Sequence, residues 1–123
     1  MNDINEFKKT LFIDIDGTLW KHQGSLHKMF TEEMEILPGV IDKLNEWDSR
    51  GYKIILTTGR KECMREQTVR ELHKNGIFYD QLVMGLTRGE RILINDIKPN
   101  NDMKVATAIE IERNKGLKDV NID

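Results

Sequence analysis

One cysteine, Cys63, is all this chain has, so no intramolecular disulfide can staple it. A reducing cytoplasm is the compartment expected for such a chain. Proline is scarce, at two residues. No apolar run approaches the roughly 20 residues of a membrane span. The opening Met1-Asn2-Asp3-Ile4-Asn5-Glu6 lacks the basic start and apolar stretch of a signal peptide. A soluble domain with no membrane partner is therefore expected. There is no excess of positive charge either: 19 Lys and Arg stand against 21 Asp and Glu, a formal net charge of −2. That argues against a nucleic-acid partner, which needs a basic face to displace counterions, though a local basic site is not excluded. Internal repeats and low-complexity segments are absent.

What is present is a chain of 123 residues, 38% hydrophobic and 33% charged. That suits one soluble domain over 1–123 with a real core. Short apolar runs alternate with amphipathic ones. Leu11-Phe12-Ile13-Asp14-Ile15 reads as a first strand halted at Gly17. The polar stretch from Lys21 to Ser25 reads as a loop or small flap. Pro38-Gly39 introduces a helix with Val40, Ile41, Leu44 and Trp47 on one face, and Gly51 stands where a left-handed cap belongs. Lys53-Ile54-Ile55-Leu56-Thr57-Thr58 has the continuous apolar character of a buried parallel strand. A helix from about residue 62 to 75 follows, with Met64, Thr68, Val69 and Leu72 inward and Gly76 past its end. Gln81-Leu82-Val83-Met84 predicts a third strand and Arg91-Ile92-Leu93-Ile94-Asn95 a fourth. Over 104–111 the spacing of Ala106, Ala108, Ile109 and Ile111 does not decide cleanly, and strand is preferred.

This order predicts an α/β fold: an open Rossmann-like sheet of mostly parallel strands with helices on both faces. Ligands of such sheets sit beyond the carboxyl ends of the strands, where strand order reverses. Three such ends hold chemistry: Asp14 and Asp16, Thr58, and Asp96. An Asp-x-Asp pair at a strand end running into Gly-Thr suits attack on phosphorus. Asp14 can act as the nucleophile and form an aspartyl-phosphate. Asp16 can protonate the leaving oxygen and then deprotonate water. Gly17 permits the tight turn that aims neighbouring N–H groups at a phosphate. A plain Asx turn is the bland alternative.

The string Asp14-Ile15-Asp16-Gly17-Thr18-Leu19 resembles the first motif of the haloacid dehalogenase-like (HAD) phosphohydrolases, and the downstream pieces follow that family's order over residues 10 to 102. The resemblance implies that Thr58 holds the transferring phosphoryl group, with the Gly59 N–H as a second donor and Thr57 as the fallback. It implies an acidic magnesium ligand at Asp96, joined by the Asp14 carboxylate and the Asp16 backbone carbonyl, in the octahedral oxygen shell Mg²⁺ prefers. Asn95 stands where an acid or glycine is more usual, and Asn100 and Asn101 precede Asp102, so the metal would be held with less charge. A cation must also offset the carboxylates and phosphate. Arg88 fits best by its distance before Asp96, with Lys98 a serious rival and Arg91 a weaker one. Arg60 offers a planar fork for a phosphate or sugar acid, or is an exposed residue at a helix start. His22, His27 and Cys63 show no trusted ligand spacing. Trp20 borders the expected site mouth and Trp47 reads as core.

Family members commonly insert a cap domain, and the short spans 19–38 and 79–91 leave no room for one. The resemblance is therefore to a capless, near-minimal member, whose open site implies either a bulky substrate or a homo-oligomer in which a neighbour forms the lid. The short Thr-Gly-Arg implies a small phosphorylated metabolite such as a sugar phosphate. A polynucleotide-end phosphatase, or a catalytically weak phosphate-binding regulatory module, are the alternatives.

Overall fold

The computed structural model describes residues 7–25, 28–29, 33–99 and 104–123. His27, Asn100, Asn101 and Asp102 lie outside them. Strand β1 (Thr10–Asp14) precedes helix α1 (Val40–Ser49). Strand β2 (Lys53–Thr57), a single 3-10 turn (Glu62–Met64), helix α2 (Arg65–Lys74) and strand β3 (Gln81–Val83) follow. The strands form one parallel sheet in the order β1-β2-β3. Phe12 lies opposite Ile55 and Asp14 opposite Thr57, and Thr57 in turn lies opposite Val83. The result is a small α/β unit of Rossmann-like character.

The sequence pattern explains each element. Ile54, Ile55 and Leu56 are all buried, as a continuous apolar run in the central strand of a covered sheet must be. Helix α1 buries Val40, Leu44 and Trp47 at the expected helical spacing. Asp42 in its first turn complements the positive end of the dipole. Gly51, at φ +81°, ends that helix turn. Helix α2 turns Thr68 and Leu72 inward, with Met64 buried just before it and Val69 half-buried. Leu44, Trp47, Ile54, Leu56 and Leu72 share one core with Ile15, Leu19 and Trp20 from the loop after β1. The C-terminal segment crosses this core as a strap. Leu117 is buried, and the Leu117 and Lys118 amides both donate to the Pro38 carbonyl, at 2.9 and 3.1 Å.

Two expected elements do not form. Residues 91–95 are not a strand but an exposed, irregular segment, and residues 104–111 are neither helix nor strand. The reason lies in the connection. A parallel crossover takes about a dozen residues or more, and only residues 84–90 separate the end of β3 from Arg91. Both outer edges of the sheet thus lack a strand partner among the described residues. On β3 the Leu82 carbonyl is taken instead by the Arg65 guanidinium, at 3.3 and 3.4 Å.

Candidate active site

The chain leaving β1 folds back on itself within four residues. The Thr18 and Leu19 amides donate to the Ile15 carbonyl at 3.0 and 2.8 Å, and the Gly17 amide donates to the Trp20 carbonyl at 2.8 Å. Gly17 sits at φ +87°, a conformation that favours glycine, with Arg113 packed where a side chain would start. The strap reinforces this loop from outside. The Asn114 amide donates to the Gly17 carbonyl at 2.8 Å, and the Asn114 side-chain oxygen accepts the His22 amide at 2.9 Å.

This turn separates the fates of its two aspartates. Asp14 is exposed, and its Oδ2 accepts a long hydrogen bond from the Thr18 hydroxyl at 3.3 Å. Partial loss of hydration by the chain around its carboxyl, together with the nearby Asp16 charge, pushes its pKa above the ordinary value. The Ile15 amide, the Thr18 hydroxyl and the Arg91 charge oppose that rise. Asp16 lies deeper. Its Oδ1 accepts the Trp20 indole N–H at 2.8 Å and Arg60 Nη2 at 2.9 Å, and its Oδ2 accepts Arg60 Nε at 2.9 Å.

Arg60 is therefore not at the surface, nor free to read a substrate acid. Its side chain is 1% exposed. Nη1 donates to the Thr68 hydroxyl at 3.0 Å, Nη2 also reaches the Met34 sulfur at 3.7 Å, and the guanidinium lies 5.1 Å from the Trp20 ring centroid. Four of its five N–H positions are thus committed within the fold, leaving one. The fork expected to hold a phosphate or sugar acid instead holds the second aspartate. Trp20, expected at the site mouth, is fully buried beneath the same carboxylate.

Thr58 is buried one residue past β2. Its amide donates to the Val83 carbonyl at 3.0 Å, and its hydroxyl oxygen accepts the Arg60 amide at 3.0 Å. A hydroxyl that accepts in this way keeps its own hydrogen to donate. Gly59 is exposed beside it. The loop after β3 crosses above, with the Leu86 amide on the Thr58 carbonyl at 3.1 Å and the Gly85 amide on the Arg60 carbonyl at 2.8 Å.

The remaining expected residues lie on the exposed segment. Arg88 is exposed, and Lys98 pairs with Asp96 at 2.8 Å on the surface. Arg91, the weaker of the three expected cations, is the one whose charge bears on Asp14. Its Nη1 is held by the Thr87 and Gly89 carbonyls at 2.8 and 2.9 Å. Among the described residues no group of three His, Cys, Asp or Glu side chains is arranged to hold a metal. The magnesium set expected here has two carboxylates and one main-chain carbonyl, and it fits in part. The Asp14 carboxylate is open toward solvent, and the Asp16 side chain, closed by Arg60 and Trp20, leaves its main-chain carbonyl as the only donor it can offer. Asp96 is held by Lys98.

The Arg60–Trp20–Asp16 network escaped sequence reasoning, although one signal for it was present. A buried indole N–H needs an acceptor, and Trp20 follows Asp16 by four residues in a tight loop. Thr68 was legible only as a core residue, and Asn114 carried no signal.

A parallel α/β sheet with an Asp-x-Asp turn at the end of its first strand and a buried threonine at the end of its second defines a HAD-like phosphatase fold. Within that superfamily the chain belongs to the family of the LNS2 domain, described as "PITM 1-3, LNS2 domain", which matches residues 11–115. Two solved structures of an RNA-repair assembly, titled as the Pnkp1/Rnl/Hen1 complex, contain a similar chain at 33% identity and a TM-score of 0.56. The matches cover 69% and 74% of this chain but 30% of that one, so this chain spans under a third of its length. A Vibrio cholerae crystal structure shares the fold at 22% identity and a TM-score of 0.50, over 74% of this chain and 84% of the other. No curated protein matches.

Proposed function

We propose that this chain is a Mg²⁺-dependent phosphomonoester hydrolase that works through an aspartyl-phosphate on Asp14. The observation that supports this reading most is the division of labour between the two aspartates. Asp14 is exposed and lightly engaged, as a nucleophile must be, whereas Asp16 is fixed from behind by three N–H donors. Asp14 attacks the phosphorus, the leaving oxygen takes a proton carried on Asp16 Oδ2, the oxygen that accepts one N–H rather than two, and the same oxygen then removes a proton from the water that releases phosphate. The Thr58 hydroxyl donates to a phosphoryl oxygen with its unused hydrogen, and the exposed Gly59 offers a second donor. Arg91 supplies positive charge beside Asp14, a role for which Arg88 and Lys98 are the alternatives. The Asp14 carboxylate and the Asp16 main-chain carbonyl, with Asp96, would hold magnesium, which would offset the charge of the phosphate.

Two substrate classes compete. The sugar-phosphate reading drew on Arg60, whose fork is spent on Asp16 and Thr68. The likeness to an RNA-repair assembly supports the second reading, a phosphate at a polynucleotide end. A capless layout, with an open approach to Asp14, accommodates such a bulky substrate. Turnover of end-phosphorylated RNA and DNA oligonucleotides, measured against a panel of sugar phosphates with Mg²⁺ and with a chelator, separates the two. Metal-dependent phosphate release, abolished in Asp14→Asn, is expected. Failure of every phosphomonoester to react would leave a phosphate-binding module instead.

A further inference from the structure

The segment that was expected to be the fourth strand is the most anomalous surface of the molecule. Ile92, Leu93, Ile94 and Ile97 are 75%, 58%, 88% and 83% exposed, a run of apolar side chains that a soluble domain normally covers. At its start the segment is braced locally, with Arg91 Nη1 donating to the Thr87 and Gly89 carbonyls. Its outgoing and returning limbs touch each other through Asn95, whose side chain donates to the Val105 carbonyl at 3.5 Å. The limb is thus an arm held away from its own sheet.

A surface complementary to this arm exists elsewhere on the same molecule. β1 is an edge strand with Phe12 61% exposed, and no strand covers its outer edge among the described residues. Such an edge is a template for another chain. The arm cannot serve its own β1, because residues 84–90 are too few to cross from the top of β3, past β2, to the foot of β1 in a parallel sense. We infer that two copies of this chain exchange arms, residues 91–96 of each pairing in parallel with the free edge of β1 in the other, so that Asp96 of the partner subunit lies beside Asp14.

The register supports a second copy as the occupant. Setting Asp96 opposite Asp14 places Ile94 opposite Phe12 and Leu93 opposite Leu11, apolar against apolar, with Ile92 opposite the β-branched Thr10 and Asn95 opposite Ile13. The same setting puts Glu90 opposite Lys8 at one end and Lys98 opposite the acidic turn at Asp16 at the other, two attractive pairs against one repulsive pair, Arg91 opposite Lys9. The exchange is reciprocal and therefore closes as a two-fold dimer. It would insert the fourth strand beside β1, giving the strand order in which open α/β sheets bind ligands at the β1 crevice. The part of the inference that concerns Asp96 rests on the hydrolase reading, since two facing carboxylates need the cation that reading supplies. The arm exchange itself does not.

The test uses the full chain with Cys63→Ser as background. Phe12→Cys with Ile94→Cys, and separately Thr10→Cys with Ile92→Cys, place cysteines directly opposite on adjacent strands whose backbones lie about 4.8 Å apart, within the Cα range of a disulfide. Oxidation is expected to give a species of twice the monomer mass that reductant reverses, and sedimentation equilibrium of the unmodified chain is expected to give a dimer. A monomer in sedimentation, or a bridge formed within one chain, overturns the exchange. Asp14→Asn and Asp96→Asn are also co-expressed. In an exchanged mixed dimer one site regains both carboxylates, so about a quarter of wild-type turnover returns if subunits pair at random. An active wild type with no return of turnover overturns the placement of Asp96. A trapped dimer in which no form hydrolyses phosphomonoesters supports the exchange and refutes the hydrolase reading.

Discussion

Arg60 holds both oxygens of Asp16 at once, with Nε on Oδ2 and Nη2 on Oδ1, each at 2.9 Å. The arginine side chain is 1% exposed and the aspartate 13%, so the pair works in a dry environment where removal of one partner strands the other. Such a loss costs about 3–5 kcal/mol. Arg60→Ala should therefore lower the urea midpoint severely. Arg60→Lys keeps the charge but offers a single ammonium where two carboxylate oxygens and the Thr68 hydroxyl need separate donors. It should fold with intermediate stability, leave KM near the wild-type value, and lower kcat by roughly 10²-fold, the cost of a misplaced catalytic group. A stable Arg60→Lys enzyme with full kcat would show that Asp16 is positioned by something else.

Thr58 permits a cleaner separation of structure from chemistry. Its hydroxyl oxygen accepts the Arg60 amide at 3.0 Å, so Thr58→Val leaves a buried amide without that acceptor, at about 1–3 kcal/mol. It also removes the hydrogen proposed to bind phosphate. Thr58→Ser keeps both functions and gives up one methyl group. Serine should retain turnover within roughly threefold, while valine should lose about 10²-fold or more, as expected when one preorganised donor disappears. Steady-state kinetics of both variants, alongside their denaturation curves, decides it. Equal activity in the two would remove Thr58 from the site.

The strap across the core can be tested at Gly116, which sits at φ +80° with the Pro38 carbonyl oxygen and nitrogen where a Cβ would lie. Alanine there meets both a left-handed backbone cost of about 1–2 kcal/mol and a collision with main-chain atoms that cannot rotate away. Gly76 has nearly the same torsion, φ +74°, and open space around it, so Gly76→Ala meets the backbone cost alone. The difference in Tm between the two variants isolates the collision. Gly116→Ala should melt well below Gly76→Ala. Coincident melting curves would mean that the strap does not hold the core.

How far these features could be read in the sequence depended on whether the signal was local. β1, α1, β2 and α2 were legible because each carries its own period and its own stop, as with Val40, Leu44 and Trp47 before Gly51. The separation of Asp14 from Asp16 was legible as chemistry but not as geometry. Nothing in a spacing reveals that Arg60, 44 residues away, would turn inward to Asp16 rather than outward. The segment 91–95 misled for the opposite reason. Its apolar run has the character of a buried strand, but whether a strand forms depends on a connection long enough to deliver it to a sheet edge, and residues 84–90 are not.

Asp14 should cost the protein stability in return for its reactivity. Partial desolvation of its carboxyl by the surrounding chain is the largest cause of a pKa raised above the ordinary value of 3.8, and the Asp16 charge adds to it. A folded pKa above the unfolded one means that the native state binds more protons between the two values, so stability falls as pH rises through that window. Above the folded pKa the whole penalty is present, and below the unfolded value it is gone. Asparagine has nothing to ionise. With divalent metal removed by a chelator, Asp14→Asn should be at least as stable as the wild type at neutral pH, and the two should converge as pH falls through the raised pKa and below 3.8. The same variant should release no phosphate at any pH. Denaturant titrations of both proteins from acid to neutral pH provide the check. A variant less stable than wild type across the neutral range would mean that the Thr18 hydroxyl, the Ile15 amide and Arg91 outweigh the desolvation of the Asp14 carboxylate, and that this carboxylate is held for structure.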